Sequence, residues 1–566
     1  MTIKSVLNAD NSHNFIICAH NREIRLHSMR PQVEAQKLFK QLPSNADLIF
    51  IGGIGLGYIL DEIPQNSERF YLIFEPKSII FDEALQKLPQ LKDMLKQPNI
   101  ILIQDCQILS EFMAQNRFKN VGFLIHRPYM DLFPQEMKQA KEIVAARLSQ
   151  QEISNATLIR FGKIWIKNLF RNMPRYFSTL KLIDFKNSFV GQPAVIIGAG
   201  PSLAEALPYL KKHKDHAVFI ACDTALPMLE AEDISVDFVI TVDPQDKNAF
   251  YLRYSSDKQH ILIADPGVHE SSFIDYENHQ IILMDAALPF YQLFQDCWKP
   301  CGLLASGGSV STSAFDFARV IGADPIILVG QDLSFTQKKI HSQGNILTEF
   351  SRINFNKFHS AHTRHALTTY PSHARLIKGR KQNQVLADAR FSVFSEWFSK
   401  EIPQTNAQVI IAGLEGAFLE GADHRTVKDA FSMLNTPILK RVIQPPKKRQ
   451  KNAFYEILNS LKISVQTIIP TAHKNLIIAK KAQISRNLQQ AQTATETLYS
   501  ILLHPEHQKT AHILEIAMQN TVQKALELQD SSDKSEKLDI ITAICQENLE
   551  CLRFLERIIK KSLSLK

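Results

Sequence analysis

Ala194-Val195-Ile196-Ile197-Gly198-Ala199-Gly200-Pro201-Ser202-Leu203 decides the fold of this 566-residue chain. Four consecutive apolar residues read as a short strand buried on both faces. The run then breaks into glycine, proline and serine, and residues 203–213 show the apolar spacing of an amphipathic helix. Two glycines allow a tight turn and a close approach of ligand to backbone. Pro201 suits a first helical turn, where its missing N–H costs nothing, and Ser202 adds a hydroxyl. The free N–H groups of such a helix start form an anion site, so a phosphate-bearing ligand is the first expectation. Gly-Lys-Ser/Thr is absent, which excludes a Walker loop.

The pattern repeats downstream. Strands are expected over 217–223, 237–243, 260–265, 281–285 and 324–332, ending in Asp223, Asp243, Asp265, Asp285 and Asp332. Strands alternating with helices imply a mainly parallel sheet covered on both faces, with ligands at the carboxyl ends of the strands. Any one of these aspartates fits a helix N-cap or a turn. Asp223, Asp243 and Asp265 together with the glycine turn favour a nucleotide site, with Asp223 and Thr224 on a ribose or base. Ser306-Gly-Gly-Ser-Val-Ser-Thr312 precedes another helix. Its hydroxyls and N–H groups, from Gly308, Ser309, Ser311 and Thr312, suit an anionic ligand; the plainer reading is a loop with a capping serine. His341 follows Lys338 and Lys339 shortly after Asp332, and so stands near a ligand-facing strand end.

The N-terminal third carries a second strand and glycine turn over 47–57, and a strand ending at Glu75 about twenty residues on. That spacing is a nucleotide-binding arrangement, with the acid on a ribose. It resembles the start of a methyltransferase-type Rossmann domain. Glycine turns also recur in α/β folds for steric reasons alone, and a Rossmann-like domain without catalysis is the favoured reading. Residues 99–105 and 121–125 supply further strands, and 155–176 a connecting helix. From residue 452 the chain lacks glycine and reads as three to five helices of a bundle, with breaks at Pro470 and Pro505. The expected boundaries are 1–150, 151–185, 186–436 and 437–566.

The net charge of +8 is mild for this length, and the basic run at 440–451 has no aromatic interleaving, so no nucleic-acid partner is expected. Seven scattered cysteines fit a reducing compartment. Cys297 and Cys301 lack the second pair of a zinc site. The first twelve residues carry no signal-peptide core. No apolar run reaches the roughly 18 residues of a membrane helix. A cytoplasmic protein is expected.

Gly198-Ala-Gly-Pro-Ser-Leu203, Cys222-Asp223, Val242-Asp243-Pro244, Gly307-Gly-Ser-Val310 and Gly330-Gln-Asp-Leu333 with the later His341 form an ordered set. It resembles the motility-associated factor (Maf) glycosyltransferases, whose central part is domain of unknown function 115. The resemblance implies a Rossmann-like N-terminal domain, a central doubly wound, sialyltransferase-like (GT-A type) parallel-sheet domain and a C-terminal helical bundle. It further implies transfer of a nonulosonic acid, such as pseudaminic or legionaminic acid, from its CMP-activated form to serine or threonine hydroxyls of flagellin. Gly198, Gly200, Pro201 and Ser202 would then hold the cytidine monophosphate, Asp223 and Thr224 the nucleoside, with Asp243 lining the cleft. Gly308, Ser309, Ser311 and Thr312 would bind the sugar carboxylate or phosphate. His341 or Asp332 would be the base, histidine being suited by an unperturbed pKa of roughly 6.5. No cofactor beyond the donor is expected. No catalytic metal is expected either, because Val242-Asp243-Pro244 is not an Asp-x-Asp pair and a lone carboxylate is a poor Mg²⁺ cage. Residues 409–417 depart from the family pattern, with Ala412 and Gly413 at expected polar positions while Glu415 and Gly416 remain. Domain 115 also occurs in archaeal pterin pyrophosphokinases, so diphosphate transfer is the alternative reaction, and a non-catalytic nucleotide-binding motility factor the alternative class.

Overall fold

A computed structural model describes residues 1–566 apart from 20–21, 44–45, 65–66, 68, 117, 119, 254, 256–257, 337–373, 439–449 and 565–566. The chain divides into two compact units, Met1–Leu158 and Ile159–Lys566.

In the first unit β1 (Thr2–Leu7), β2 (His13–Ala19) and β3 (Arg22–Arg25) form an antiparallel sheet. A parallel sheet follows, built from β4 (Leu48–Gly52), β5 (Phe70–Phe74), β6 (Ile100–Ile103) and β7 (Val121–Ile125) in the order β6-β5-β4-β7. Every residue of β4 is buried, as a central strand covered on both faces requires.

Among its described residues the second unit holds a sheet of eight parallel strands: β8 (Ala194–Ile197), β9 (Val218–Cys222), β10 (Phe238–Thr241), β11 (Ile261–Ala264), β12 (Ile281–Leu283), β13 (Ile326–Val329), β16 (Val409–Ala412) and β17 (Asp423–Arg425). An antiparallel pair, β14 (Arg375–Lys378) and β15 (Gln384–Ala387), lies outside this sheet. The sheet order is β12-β11-β10-β9-β8-β13-β16-β17. The chain starts in the middle at β8, steps outward to β12, and returns through the helix Val310–Val320 to β13 on the other side of β8. Adjacent loops that lead to opposite halves of a sheet leave a crevice between them, and here that switch point lies between β8 and β13. β8, β9, β10, β11, β13 and β16 are buried at every position, which explains their uninterrupted apolar runs.

The helix Val310–Val320 packs against β8, β9 and β10. Its C-terminal end is tied to the segment entering β8, through Asn187 N–H to the Val320 carbonyl at 2.9 Å and Phe189 N–H to the Ile321 carbonyl at 2.8 Å. Its N-terminus therefore sits at the carboxyl edge of the sheet. The second unit's part of the helix Pro134–Asn172, residues 159–172, braces the same edge with two asparagines. Asn168 Nδ2 donates to the carbonyls of Pro244 and Gly267 at 2.9 and 2.8 Å. Asn172 Nδ2 donates to those of Pro266 and Val268 at 2.9 and 2.8 Å. The loops after β10 and β11 are thereby fixed from outside the sheet.

The tail is helical over Asn452–Ile484, Leu488–Leu502, Gln508–Ala517, Gln519–Asp530 and Lys534–Leu563. The expected break at Pro505 falls between helices, but Pro470 lies inside Asn452–Ile484. That helix packs extensively along Lys534–Leu563, with Ile468 and Ala472 buried on either side of the proline. Tertiary packing outweighs the single backbone bond that proline forfeits.

Candidate functional site

The carboxyl ends of β8 and β13 are bound directly to each other. Gly198 N–H donates to the Val329 carbonyl and Gly200 N–H to the Gly330 carbonyl, both at 2.8 Å. Ser202 donates twice to Asp332 Oδ2, from its N–H at 3.1 Å and its hydroxyl at 2.9 Å. A Cβ on Gly200 would stand 2.1 Å from Asp332 Oδ2 and 2.5 Å from the Gly330 carbonyl oxygen. The glycine that sequence reasoning assigned to ligand approach thus admits a neighbouring loop. The start of the helix Leu203–His213 already holds one carboxylate, because Asp332 occupies Ser202's donors.

Asp332 is 2% exposed. Burial raises its pKa, opposed by the Ser202 donors and the charge of Arg380. Arg380, in the turn after β14, is the residue sequence reasoning missed. Its Nε donates to the Ala417 carbonyl at 2.8 Å, one terminal nitrogen to the Gly413 carbonyl at 3.0 Å, and the other to the Gln331 carbonyl. Ala417 N–H in turn donates to the Asp332 carbonyl at 2.8 Å. One guanidinium therefore ties the loop after β13 to the loop after β16. Burial lowers its pKa to about 10, against the pull of Asp332 and Glu415. Gly413, one of the two positions expected to be polar in the 409–417 segment, supplies this clamp with a carbonyl, as Ala417 does. Nothing in the spacing around Gly379-Arg380-Lys381 distinguishes Arg380 from a solvated surface cation.

On the other half of the edge, Asp223 is fully buried and accepts from Thr241 Oγ1 at 2.8 Å and Thr224 N–H at 2.7 Å. Burial pushes its pKa up to about 7, and the neighbouring charge of Asp243 adds to this. Its carboxylate joins the ends of β9 and β10, while Thr224 beside it is half-buried. Asp243 is half-buried and turns back on Gln245, accepting from its N–H at 2.8 Å and its side-chain amide at 3.3 Å. Asp265 accepts from Gly267 N–H at 2.6 Å, and burial pushes its pKa up to about 6. Asp285 accepts from Tyr291 Oη, Cys301 N–H and Gly302 N–H and fixes the 298–302 loop.

The hydroxyl-rich loop bonds largely to itself. Ser309 caps the helix Val310–Val320 and meets Ser311 Oγ at 2.9 Å. Thr312 Oγ1 donates to the Ser309 carbonyl at 2.5 Å and accepts from Gly307 N–H at 2.9 Å. Gly308 has a left-handed φ of 90° that favours glycine, and its N–H reaches Ser306 Oγ at 3.3 Å. Ser311 and Thr312 are buried. Lys338, Lys339 and His341 lie outside the described residues. Gly198, Gly200, Pro201, Ser202 and Asp332 form one cluster, and Asp223, Thr224 and Asp243 a second on the same edge.

The glycine turn of the first unit is filled from within. A Cβ on Gly53 would stand 2.4 Å from the Tyr129 ring. Tyr129 Oη donates to Glu75 Oε2 at 2.5 Å and accepts from Gly55 N–H at 3.1 Å. Glu75 also accepts from Ile54 and Lys77 N–H at 3.2 Å each and is fully buried. A carboxylate so enclosed does not present itself to a ribose. A cavity of about 230 Å³ lies on the outer side of the turn, lined by Ser12, His13, Gln32, Gly57 and Asp61 among others.

Burial pushes Glu75 up to about 7 against its hydrogen-bond donors. With the folded pKa above the unfolded value of about 4.3, this group's contribution to stability is full below the unfolded value. It is lost as pH rises through about 7. Glu75→Gln is expected to remove that dependence. Its stability loss between about pH 5 and about pH 8 should be smaller than wild type's by on the order of 2 kcal/mol. Urea unfolding at the two pH values measures this, and parallel curves for both proteins would refute it.

Comparisons with known proteins agree with this architecture. A family model described as 6-hydroxymethylpterin diphosphokinase MptE-like matches residues 167–338. An uncharacterized protein of Treponema pallidum (strain Nichols) is 30% identical over 137 residues, 24% of this chain and 62% of that protein. A second from the same organism is 29% identical over 200 residues, 30% of this chain and 50% of that protein. The chain thus spans between 50% and 62% of the length of these two relatives. The structure of the Maf glycosyltransferase from Magnetospirillum magneticum AMB-1 is similar over 99% of this chain and 92% of that one, with a TM-score of 0.63 at 13% identity. The chain has the fold of a Maf glycosyltransferase, in agreement with the expected α/β class and C-terminal helical region. No helix among the described residues is long and apolar enough to cross a membrane.

Proposed function

We propose that this protein is a glycosyltransferase of the Maf kind, moving a nonulosonic acid from a CMP-activated donor to serine or threonine hydroxyls of flagellin in the cytoplasm. The observation that carries the reading is the whole-chain likeness in fold to the Maf enzyme. The meeting of Gly198–Ser202 with the loop after β13 at the switch point supports it, because ligands of doubly wound sheets bind there. In this reading the donor lies along the carboxyl edge of β8, β9 and β10, against Pro201, Thr224 and Asp243, with Gly200 and Ser202 holding the neighbouring loop in place. The hydroxyl-rich turn at 308–312 faces the sugar carboxylate or phosphate. Asp223 and Asp332, bonded within the protein, position the loops that meet the donor.

The reaction breaks the bond from the anomeric carbon to the CMP oxygen through an oxocarbenium-like state and forms a bond to the acceptor oxygen. CMP departs with the bonding electrons, and the acceptor proton passes to a base. We assign that base to His341, with Lys338 and Lys339 balancing phosphate charge. The transfer draws on positioning and charge stabilisation and needs no resident catalytic metal. His341→Ala is expected to lower kcat by roughly 10²- to 10⁴-fold while leaving CMP affinity within about threefold of wild type. An unchanged kcat removes His341 from the chemistry.

The family model over residues 167–338 favours one other reading, diphosphate transfer from ATP to a pterin. Calorimetric titration with CMP, CDP, ATP and S-adenosylmethionine separates the two. Selective CMP binding that is weakened in Ser202→Ala and Asp243→Asn is the expected result. ATP binding without CMP binding would overturn the glycosyltransferase reading.

A further inference from the structure

We propose that His27, Glu34 and His126 form a transition-metal site in the first unit, suited to Zn²⁺ or an ion of similar ligand preference. The three come from separate elements. His27 follows β3, Glu34 lies in the first turn of the helix Pro31–Lys40, and His126 follows β7. One ligand atom from each lies within 4.8 Å of the others. Glu34 Oε2 is 3.6 Å from His27 Nδ1, and Glu34 Oε1 is 3.9 Å from His126 Nε2. Ligands held tetrahedrally at about 2.0–2.2 Å stand roughly 3.5 Å apart, so an ion would draw the three ligand atoms inward from their spacing of within 4.8 Å. Two imidazoles and one carboxylate are a ligand set that Zn²⁺ takes in three-ligand sites with an open fourth position. The three side chains line a common cavity of about 20 Å³, room for about one ion.

His126 gives the independent indication of a ligand. It is 5% exposed, and neither ring nitrogen has a hydrogen-bond partner. A buried imidazole left this way is costly, and ligation through Nε2 relieves one of the two nitrogens.

His27 couples the site to the glycine turn. Its Nε2 accepts from Leu56 N–H at 3.0 Å, so the neutral ring carries its proton on Nδ1, facing Glu34. Metal binding at Nδ1 moves that proton to Nε2. Two donors then face each other, and Leu56 N–H is released.

Co²⁺ titration of the full-length chain, stripped with a chelator and dialysed, tests the site. About one Co²⁺ per chain should give the visible bands of a low-coordinate ion, displaced by Zn²⁺. Glu34→Gln and His126→Ala should each weaken binding by at least about tenfold, whereas His504→Ala, at an exposed position, leaves it unchanged. Glu34→Gln is the deciding variant should His126→Ala fail to fold, because Glu34 is half-buried and glutamine preserves its shape. Hydrogen exchange at the Leu56 amide should accelerate on loading. Failure of wild type to bind Co²⁺ stoichiometrically, or wild-type binding by Glu34→Gln, overturns the proposal. Unchanged Leu56 exchange removes His27 from the ligand set and overturns the three-ligand site. None of these readouts depends on the reaction assigned to the second unit.

Discussion

Gly200→Ala is expected to destabilise the second unit by roughly 3 kcal/mol or more in the absence of any ligand, and to abolish CMP binding. The added methyl would stand 2.1 Å from Asp332 Oδ2 and 2.5 Å from the Gly330 carbonyl oxygen. Neither atom can withdraw alone. Asp332 Oδ2 is held by both Ser202 donors, and the Gly330 carbonyl accepts from Gly200 itself. Relief requires the β8 and β13 loops to separate, which breaks the cluster at the switch point. The two explanations for this glycine make different predictions. Were it needed for ligand approach, the ligand-free variant would melt like wild type and lose only affinity. Loop packing predicts a lower Tm without ligand, with the Ser202→Ala loss smaller because it deletes one hydroxyl donor, at about 1–3 kcal/mol. Thermal unfolding of the three proteins without CMP, beside calorimetry with it, decides between them. A wild-type Tm for Gly200→Ala would falsify the packing account.

That contrast marks where the sequence was legible. The strand, turn and helix at 194–213 were readable because apolar period, glycine and proline each favour the same local structure. The acids closing successive strands were readable for the same reason, and Asp223, Asp243, Asp265, Asp285 and Asp332 all follow strand ends. The partners of those acids were not. Whether a carboxylate at a strand end faces a ligand or a neighbouring loop is set by residues distant in the chain. Asp332 meets Ser202, 130 residues away. Glu75 meets Tyr129, 54 residues away, and nothing at the usual ribose-acid spacing signals the tyrosine that fills the place of a nucleotide.

The antiparallel sheet of the first 25 residues shows a different limit. In β1 only Ile3 and Val6 are half-buried, three apart and so on opposite faces, too little apolar patterning to stand out from a polar segment. Pro470 shows the converse. A strong local breaker is overridden by a long helical partner surface that no local window contains.

Arg380→Ala carries the second large effect, and it reports on the part of the site that sequence reasoning did not reach. The substitution leaves the carbonyls of Gln331, Gly413 and Ala417 without their guanidinium donors. It also leaves Asp332, 2% exposed, without the cation that opposes its burial. Losing three buried carbonyl partners and a nearby compensating cation together costs roughly 3–5 kcal/mol. The pH dependence follows from sign. Asp332 already has a raised pKa in the folded protein, and losing Arg380 raises it further. The contribution from this group is full below its unfolded pKa and is lost as pH rises through the folded value, so the variant's deficit grows from acid toward neutral pH. Asp332→Asn added to Arg380→Ala removes the uncompensated charge. The double variant should therefore recover stability at neutral pH relative to Arg380→Ala alone. Additive losses in that cycle, or a deficit independent of pH, would mean that Arg380 acts only through its carbonyl contacts and that its charge does not hold Asp332 in the site.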